Sequence, residues 1–338
     1  MFALDSAKLT GEERAAYQES ISQVRKLLVE GMYLDVPRGL AETDLEDVYT
    51  PLDKCILNNR AFRSLPMSEV ISCRRALDTA ISIYMNNSLE PIHSDNTFIA
   101  ALCERLVTTN GCIPKDDSVV FVTTNWDIIL DNSIQQAIGS RKGVIDYCCH
   151  ATPYYNEAGN LPALVAHARG YFTVKILKMH GSLNWLFCPR CDRLYTTTRE
   201  KIAIHEYIRH PTCRLCDKRF RNDSTNDKGP PLVGQLLMPT YIKDLGNVQI
   251  KLVWQNAGIE LSEATRLVFA GYSFPIADFE FRELLARTVP HSTEIHVVTR
   301  HDTSPEVEKR YRSFFGRRSV TIHKEGVEKA LVPTIWET

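Results

Sequence analysis

Along residues 11–31 the apolar side chains Ile21, Val24, Leu27 and Leu28 fall on one helical stripe behind the polar lead-in Glu12-Glu13-Arg14. A short helix is predicted to open at Asp44-Leu45-Glu46-Asp47-Val48, after a polar, proline-containing connection over 35–43. Residues 67–85 form a long amphipathic segment with Val70, Ile71, Leu77, Ile81 and Tyr84 on one face, and 98–107 form another. The first hundred residues therefore predict helices and no convincing strand. The pattern changes near Pro114. Residues 119–122, Val-Val-Phe-Val, are a β-branched run that reads as a buried strand, followed by a helical pattern from Trp126 to Gly139. Further strands are predicted at 143–147, 172–179, 232–238, 267–270, 294–298 and 319–322. Helices are predicted around Leu252, Trp254, Ala257 and Leu261, over 279–287 and over 306–315. Strands alternating with helices on short connections predict an α/β fold, a Rossmann-like doubly wound parallel sheet.

Three of the predicted strands end in polar clusters. These are Thr124, Asn125 and Asp127; His180, Gly181 and Ser182; and Gly271, Ser273 and Asp278. The carboxyl edge of an open parallel sheet is where ligands bind, so these clusters are candidates for chemistry. Helix capping by Thr124, Asn125, Asp127, Ser273 or Asp278 is the competing structural role, and the two are compatible. His180 combines a titratable ring suited to proton transfer near neutral pH with a following glycine that admits close backbone approach. Ser273 offers a hydroxyl or backbone N–H to a phosphate or ribose.

Between the third and fourth predicted strands lie Cys188-Pro-Arg-Cys191 and Cys213-Arg-Leu-Cys216, with 21 residues between the pairs. Two such knuckles supply four thiolates for tetrahedral zinc and leave no open coordination position, so a structural rather than catalytic ion is expected. A redox Cys-x-x-Cys is the alternative, but it occurs as one pair at a helix start. The other six of the ten cysteines, Cys55, Cys73, Cys103, Cys112, Cys148 and Cys149, sit among apolar neighbours and read as small hydrophobes in a reducing compartment.

Composition narrows the function classes. The chain has 338 residues, 44% hydrophobic and 24% charged, with a formal net charge of -1. That balance gives no electrostatic case for nucleic acid or an anionic membrane. The run of Arg214, Lys218, Arg219 and Arg221 beside the second knuckle reads as a solvated face. No apolar run approaches the roughly 20 residues that span a bilayer, and the N-terminus lacks a secretory pattern, so a cytoplasmic location is expected.

Taken in order, Thr124-Asn125-Trp126-Asp127, then Lys178-Met179-His180-Gly181-Ser182-Leu183-Asn184-Trp185, then the paired cysteines, then Phe269-Ala270-Gly271-Tyr272-Ser273 with Asp278, resemble the sirtuin superfamily. The resemblance is strongest to its divergent bacterial branch found in antiphage defence, and runs from about Asp44 to about Ile322. It implies a Rossmann-like NAD site with a zinc-ribbon insertion. On that basis residues 1–113 are a mostly helical N-terminal portion, 114–187 and 232–338 the core, and 188–221 the ribbon. It implies catalytic roles for Asn125, Asp127 and His180, the last as general base, and cofactor contacts from Thr124, Gly181, Ser182, Gly271, Ser273 and Asp278. Zinc would be held by Cys188, Cys191, Cys213 and Cys216. The activity implied is cleavage of the nicotinamide glycosidic bond of NAD, with an NAD-dependent protein deacylase as the alternative. The family leaves room for a defence-system partner protein or self-association.

The family's sheet opens with a Gly-Ala-Gly-x-Ser phosphate loop, and no Gly-x-Gly occurs in this sequence. Three readings follow: a natural protein that extends further upstream, an inactive sirtuin-like module, or a makeshift phosphate contact from Gly39 and its neighbours.

Overall fold

The computed structural model describes residues 9–34, 44–88, 119–155 except 141, 169–220 except 198 and 199, and 229–326 except 239, 242, 244 and 301. The segment at 98–107, Gly39, Cys103 and Cys112 lie outside these residues. Among the described residues the N-terminal third is helical. Helix α1 (Gly11–Lys26) starts with a capping box, Thr10 Oγ1 accepting from the Glu13 N–H while Glu13 accepts from the Thr10 N–H, and continues as a π-helical turn over Leu27–Gly31. Helix α2 (Leu45–Leu57) packs on α3 (Met67–Ser88), which packs on α1. Val48, Tyr49, Leu52, Val70, Leu77 and Ile81 join Val24, Leu27 and Leu28 in one buried cluster.

The remainder is a mixed α/β structure with parallel sheets. Strand β1 (Phe121–Thr123) leads to helix α4 (Ile129–Ile138), then β2 (Gly143–Asp146), β3 (Ala151–Pro153), β4 (Phe172–Lys178), β5 (Gly181–Phe187) and β6 (Leu194–Thr196). A short helix α5 (His205–Ile208) and helix α6 (Arg214–Phe220) precede β7 (Val233–Leu236). Helix α7 (Val248–Glu263), β8 (Arg266–Ala270), α8 (Phe279–Thr288), β9 (Glu294–Val298), α9 (Pro305–Phe315) and β10 (Val320–His323) follow in order. Strands β1, β4 and β2 form one wholly parallel sheet in that order, and β10, β9 and β8 form another. Among the described residues the parallel strands thus lie in two separate three-stranded sheets. One core joins them, with Val174 and Ile176 of β4, Phe269 of β8 and Ile295 and Val297 of β9 packed on Ile250, Val253, Ala257 and Leu261 of α7. Each such fully buried side chain contributes roughly 1.5–3 kcal/mol of apolar transfer free energy.

The third sheet, β3-β6-β5-β7, carries the paired cysteines. Its β3–β6 pairing is parallel, and β5 runs antiparallel to both β6 and β7. The predicted strand at 232–238 is therefore a neighbour of β5 rather than a member of a parallel sheet. Every residue of β5 is buried. No helix among the described residues is long and apolar enough to cross a membrane.

Candidate functional site

Parallel register places the predicted clusters side by side. Thr123 is opposite Lys178 in the β1–β4 pair, so the chain leaves both strands at the same edge. The Met179 N–H donates to the Thr123 carbonyl at 2.9 Å, and the Leu183 N–H donates to that of Trp126 at 2.9 Å. These bonds hold residues 124–128 outside helix, and α4 begins at Ile129 rather than at Trp126. Across the cavity, Gly271 (φ 64°) and Phe274 (φ 54°) turn the chain after β8. Phe274 is buried against Tyr311 and Phe314, and the Tyr311 hydroxyl donates to the Tyr272 carbonyl at 2.8 Å. Asp278 arrives at the head of α8.

Thr124, Asn125, Trp126, Asp127, His180 and Asp278 line one cavity of about 320 Å³, together with Glu46, Met85, Leu237, Lys243 and Ala277. Its volume suits one end of a dinucleotide, at the lower bound of small-molecule sites. His180 is buried, with Nε2 3.7 Å from Asp278 Oδ1. That separation is too long for a hydrogen bond, and Nε2 has no other partner among the described residues. Burial pushes the His180 pKa down to about 4; Asp278 and the Thr124 backbone oppose the shift, and the Lys243 cation adds to it.

Asp278 is the hub of the far wall. Its Oδ2 accepts from the Tyr272 hydroxyl at 2.6 Å, and its Oδ1 lies 3.4 Å from the Lys243 ammonium. Lys243, with only 2% of its side chain exposed, also donates to the Ala277 carbonyl at 2.9 Å and faces Glu280 at 3.5 Å. Burial, and next the Asp278 charge, push the Tyr272 phenol well up, so it stays a donor.

The other predicted site residues behave differently. Asn125 is exposed at the cavity edge, its N–H donating to Thr123 Oγ1. Asp127 both lines the cavity and caps α4, Oδ1 accepting from the Ile129 N–H at 3.0 Å. Gly181 (φ 78°) is buried, and a Cβ there would stand 1.9 Å from the Gln235 carbonyl oxygen. The backbone that this glycine admits is that of β7. Ser182 is fully buried, its hydroxyl 3.4 Å from the Trp126 carbonyl. Gly271 and Ser273 are exposed and outside the cavity lining. Sequence reasoning does not reach Lys243, Glu46, Met85 or Tyr272. Lys243, Glu46 and Met85 come from segments whose local pattern carries no signal of the site, and Tyr272 sits inside the Gly-Tyr-Ser turn with no role of its own implied.

A second cavity of about 610 Å³ shares Asp127 with the first. It lies between the start of α1, the outer face of α4 (Asn132, Ser133, Gln136) and residues 200–209.

The four paired cysteines form a separate centre. Their Sγ atoms all lie within 4.8 Å of one another, with Cys188 to Cys216 at 3.8 Å and Cys191 to Cys213 at 3.7 Å. A tetrahedron with zinc–sulfur bonds of about 2.3 Å has edges of about 3.8 Å, so the donor set fits zinc in both chemistry and size. Leu186, Tyr195, Ile202 and Leu232 pack around it as a small core. Cys73 is buried, Cys55, Cys148 and Cys149 are partly so, and all four are free thiols.

A scan of known protein families finds none that matches the chain, and no curated protein matches it. Among solved structures the chain is similar to one described for the mechanism and regulation of Sir2 enzymes, at 14% identity and a TM-score of 0.36, covering 77% of this chain and 74% of that one. It is also similar to one described for sirtuin substrate affinity, at 16% identity and a TM-score of 0.26, covering 48% of this chain and 56% of that one. Likenesses of this size leave the family open.

Proposed function

We propose that the chain binds NAD and hydrolyses its nicotinamide glycosidic bond, as a sirtuin-like NADase of the antiphage type. The observation that carries the reading is the meeting of His180, Asp278 and the Thr124–Asp127 turn, from three strand ends, around one cavity. The bond between ribose C1′ and the nicotinamide nitrogen breaks and a water oxygen bonds to C1′, giving nicotinamide, ADP-ribose and one proton. Charge develops at C1′ in an oxocarbenium-like state. Glu46, Asp127 and Asp278 line the cavity and supply carboxylates to stabilise that charge. His180, neutral through burial, takes the proton from the water or from a ribose hydroxyl. Asn125 holds the ribose and the water, and Asp127 orients the pocket. Ser273 and Gly271, exposed and outside the cavity lining, would contact the adenosine half. Thr124 contributes cavity lining, while Gly181 and Ser182 support the site through the backbone.

The test is nicotinamide release from NAD by the purified protein, with and without extracts of infected cells as activator. Wild type should release nicotinamide, and His180→Ala should lose at least about a hundredfold, the usual contribution of a general base. Equal release by both would reject the assignment of His180, and no release under any condition would reject the activity.

The second cavity favours a second reading, an NAD-dependent deacylase. It opens beside residues 200–209 and reaches Asp127, where an acyl-lysine would approach the ribose. Turnover of an acetylated peptide that requires NAD supports this reading, and nicotinamide release without peptide supports hydrolysis.

A further inference from the structure

Lys178, Ser182 and Asn184 belong to the same strand-turn-strand unit as His180, yet none of them lines the cavity. Lys178 Nζ, the Ser182 hydroxyl and Asn184 Nδ2 are engaged in buried hydrogen bonds, while Asn184 Oδ1 has no partner among the described residues. Lys178 and Asp131 are 1% and 0% exposed, and Lys178 Nζ lies 3.0 Å from Asp131 Oδ2. Asp131 Oδ1 accepts from the Tyr147 hydroxyl at 2.6 Å. That hydroxyl accepts from Asn184 Nδ2 at 3.0 Å, and the same nitrogen donates to the Thr197 carbonyl at 2.5 Å. An ion pair this deep is costly to desolvate, and apolar residues of similar volume would serve the core as well or better. Core stability therefore does not account for it.

What it reaches does. Lys178 Nζ also donates to the Asp127 carbonyl. The neighbouring carbonyls are taken by the same unit: Thr123 by the Met179 N–H, and Trp126 by both the Leu183 N–H and the Ser182 hydroxyl. On the other side, the Met179 carbonyl accepts from Trp254 Nε1 at 2.8 Å and the His180 carbonyl from the Leu237 N–H at 2.8 Å. The turn at residues 124–127 and the turn carrying His180 are thereby fixed to each other through main-chain carbonyls, with a buried cation closing the last of them.

We propose that Lys178, with Asp131 behind it and Ser182 beside it, is a positioning clamp that holds the Thr124–Asp127 wall in register with His180. Its kinetic consequence rests on the hydrolase reading. Its structural consequence, a turn held rigid against β4 and β5, does not. Reactive groups held in a near-attack arrangement lose about a hundredfold in rate when displaced by about 1 Å.

The test uses the full chain. Lys178→Met/Asp131→Leu removes the ion pair as a unit and leaves no lone buried charge, and Ser182→Ala cuts one tie with little volume change. Thermal unfolding and metal content establish that each variant is folded. The clamp predicts that in the double variant kcat for nicotinamide release falls about a hundredfold while KM for NAD stays within about threefold. Ser182→Ala should lose about tenfold in kcat by the same positioning argument. Residue-resolved amide exchange should quicken at Asn125, Ile129 and Leu183 and stay unchanged in β8, β9 and β10. A folded double variant with unaltered exchange at those amides and unaltered kcat overturns the proposal. Should the double variant not fold, Ser182→Ala is judged by the same two readouts. If wild type releases no nicotinamide, the hydrolase reading has failed, and the exchange pattern alone decides the clamp.

Discussion

Burial displaces the His180 pKa downward, and that sign fixes how the protein should respond to acid. Its folded-state pKa lies at about 4 because burial outweighs the Asp278 carboxylate, against about 6.5 in the unfolded chain. The neutral His180 ring, the proposed base, is thus present above pH 4 and lost as pH falls through it. The acid limb of kcat/KM should have its midpoint near 4, and a midpoint near 6.5 in a pH–rate profile would contradict the burial argument. Between the two values the unfolded chain binds the extra proton, so His180 makes stability rise with pH through that window and fall as acid is added. His180→Gln should remove that part of the acid dependence in thermal melts. Asp278 gives a second handle. Tyr272→Phe deletes the 2.6 Å donor to Asp278, and steady-state kinetics should show kcat down about tenfold, the scale of one hydrogen bond to a charged group, with KM little changed. Sequence pattern leads to His180, Asn125, Asp127 and Asp278 because each sits where a predicted strand ends. It does not lead to Lys243 or Met85, whose place in the cavity depends on how distant segments pack.

At the level of elements, helices are legible wherever an apolar stripe runs for three or more turns, as in α1, α3, α7 and α9. Strands β4, β8 and β9 are legible from their runs of apolar and β-branched residues. Strand β5 is not. Its sequence Gly-Ser-Leu-Asn-Trp-Leu-Phe shows no alternation because all seven residues are buried, including polar Ser182 and Asn184, whose partners lie in other elements. Helix α4 starts later than its pattern predicts, because the carbonyls of Thr123, Trp126 and Asp127 ahead of it are claimed by residues 178–183. Gly181 marks the junction of β4 and β5, a position that excludes a side chain. Its φ of 78° opposes substitution, and so does the Gln235 oxygen, 1.9 Å from where a Cβ would stand. Gly181→Ala should cost about 2–4 kcal/mol, from left-handed backbone strain plus overpacking. Denaturant unfolding monitored by tryptophan fluorescence measures it, and a change below about 0.5 kcal/mol, the level of an ordinary surface substitution, would mean that β5 and β7 do not pair as described.

Across the whole molecule, the cysteine centre and the candidate site are linked by one strand. Strand β5 begins at Gly181, next to His180, and ends at Phe187, next to Cys188. It is hydrogen-bonded to β6 within the ribbon and to β7, whose continuation supplies Leu237 to the cavity. The core around the four cysteines is small, so a tetrahedral ion bound there would supply the crosslink on which its order depends. Residues 202–208 connect that ribbon outward, Ile204 packing with Tyr17 of α1 and with Ala80 and Ile83 of α3. Losing the crosslink should therefore release β5 at both ends and loosen the N-terminal helices, while β8, β9 and β10, which form a sheet of their own, keep their pairing. Purified protein should contain about one zinc per chain by its four-thiolate ligand count, and Cys213→Ser should contain far less. In that variant, or after exposure to a strong chelator, amide exchange should rise in β5, β6 and β7 and nicotinamide release should fall with it, while the β8–β10 amides stay protected. Full protection of β5 in metal-free protein would show that the ribbon holds without its ion, and activity retained there would show that the site does not depend on the ribbon.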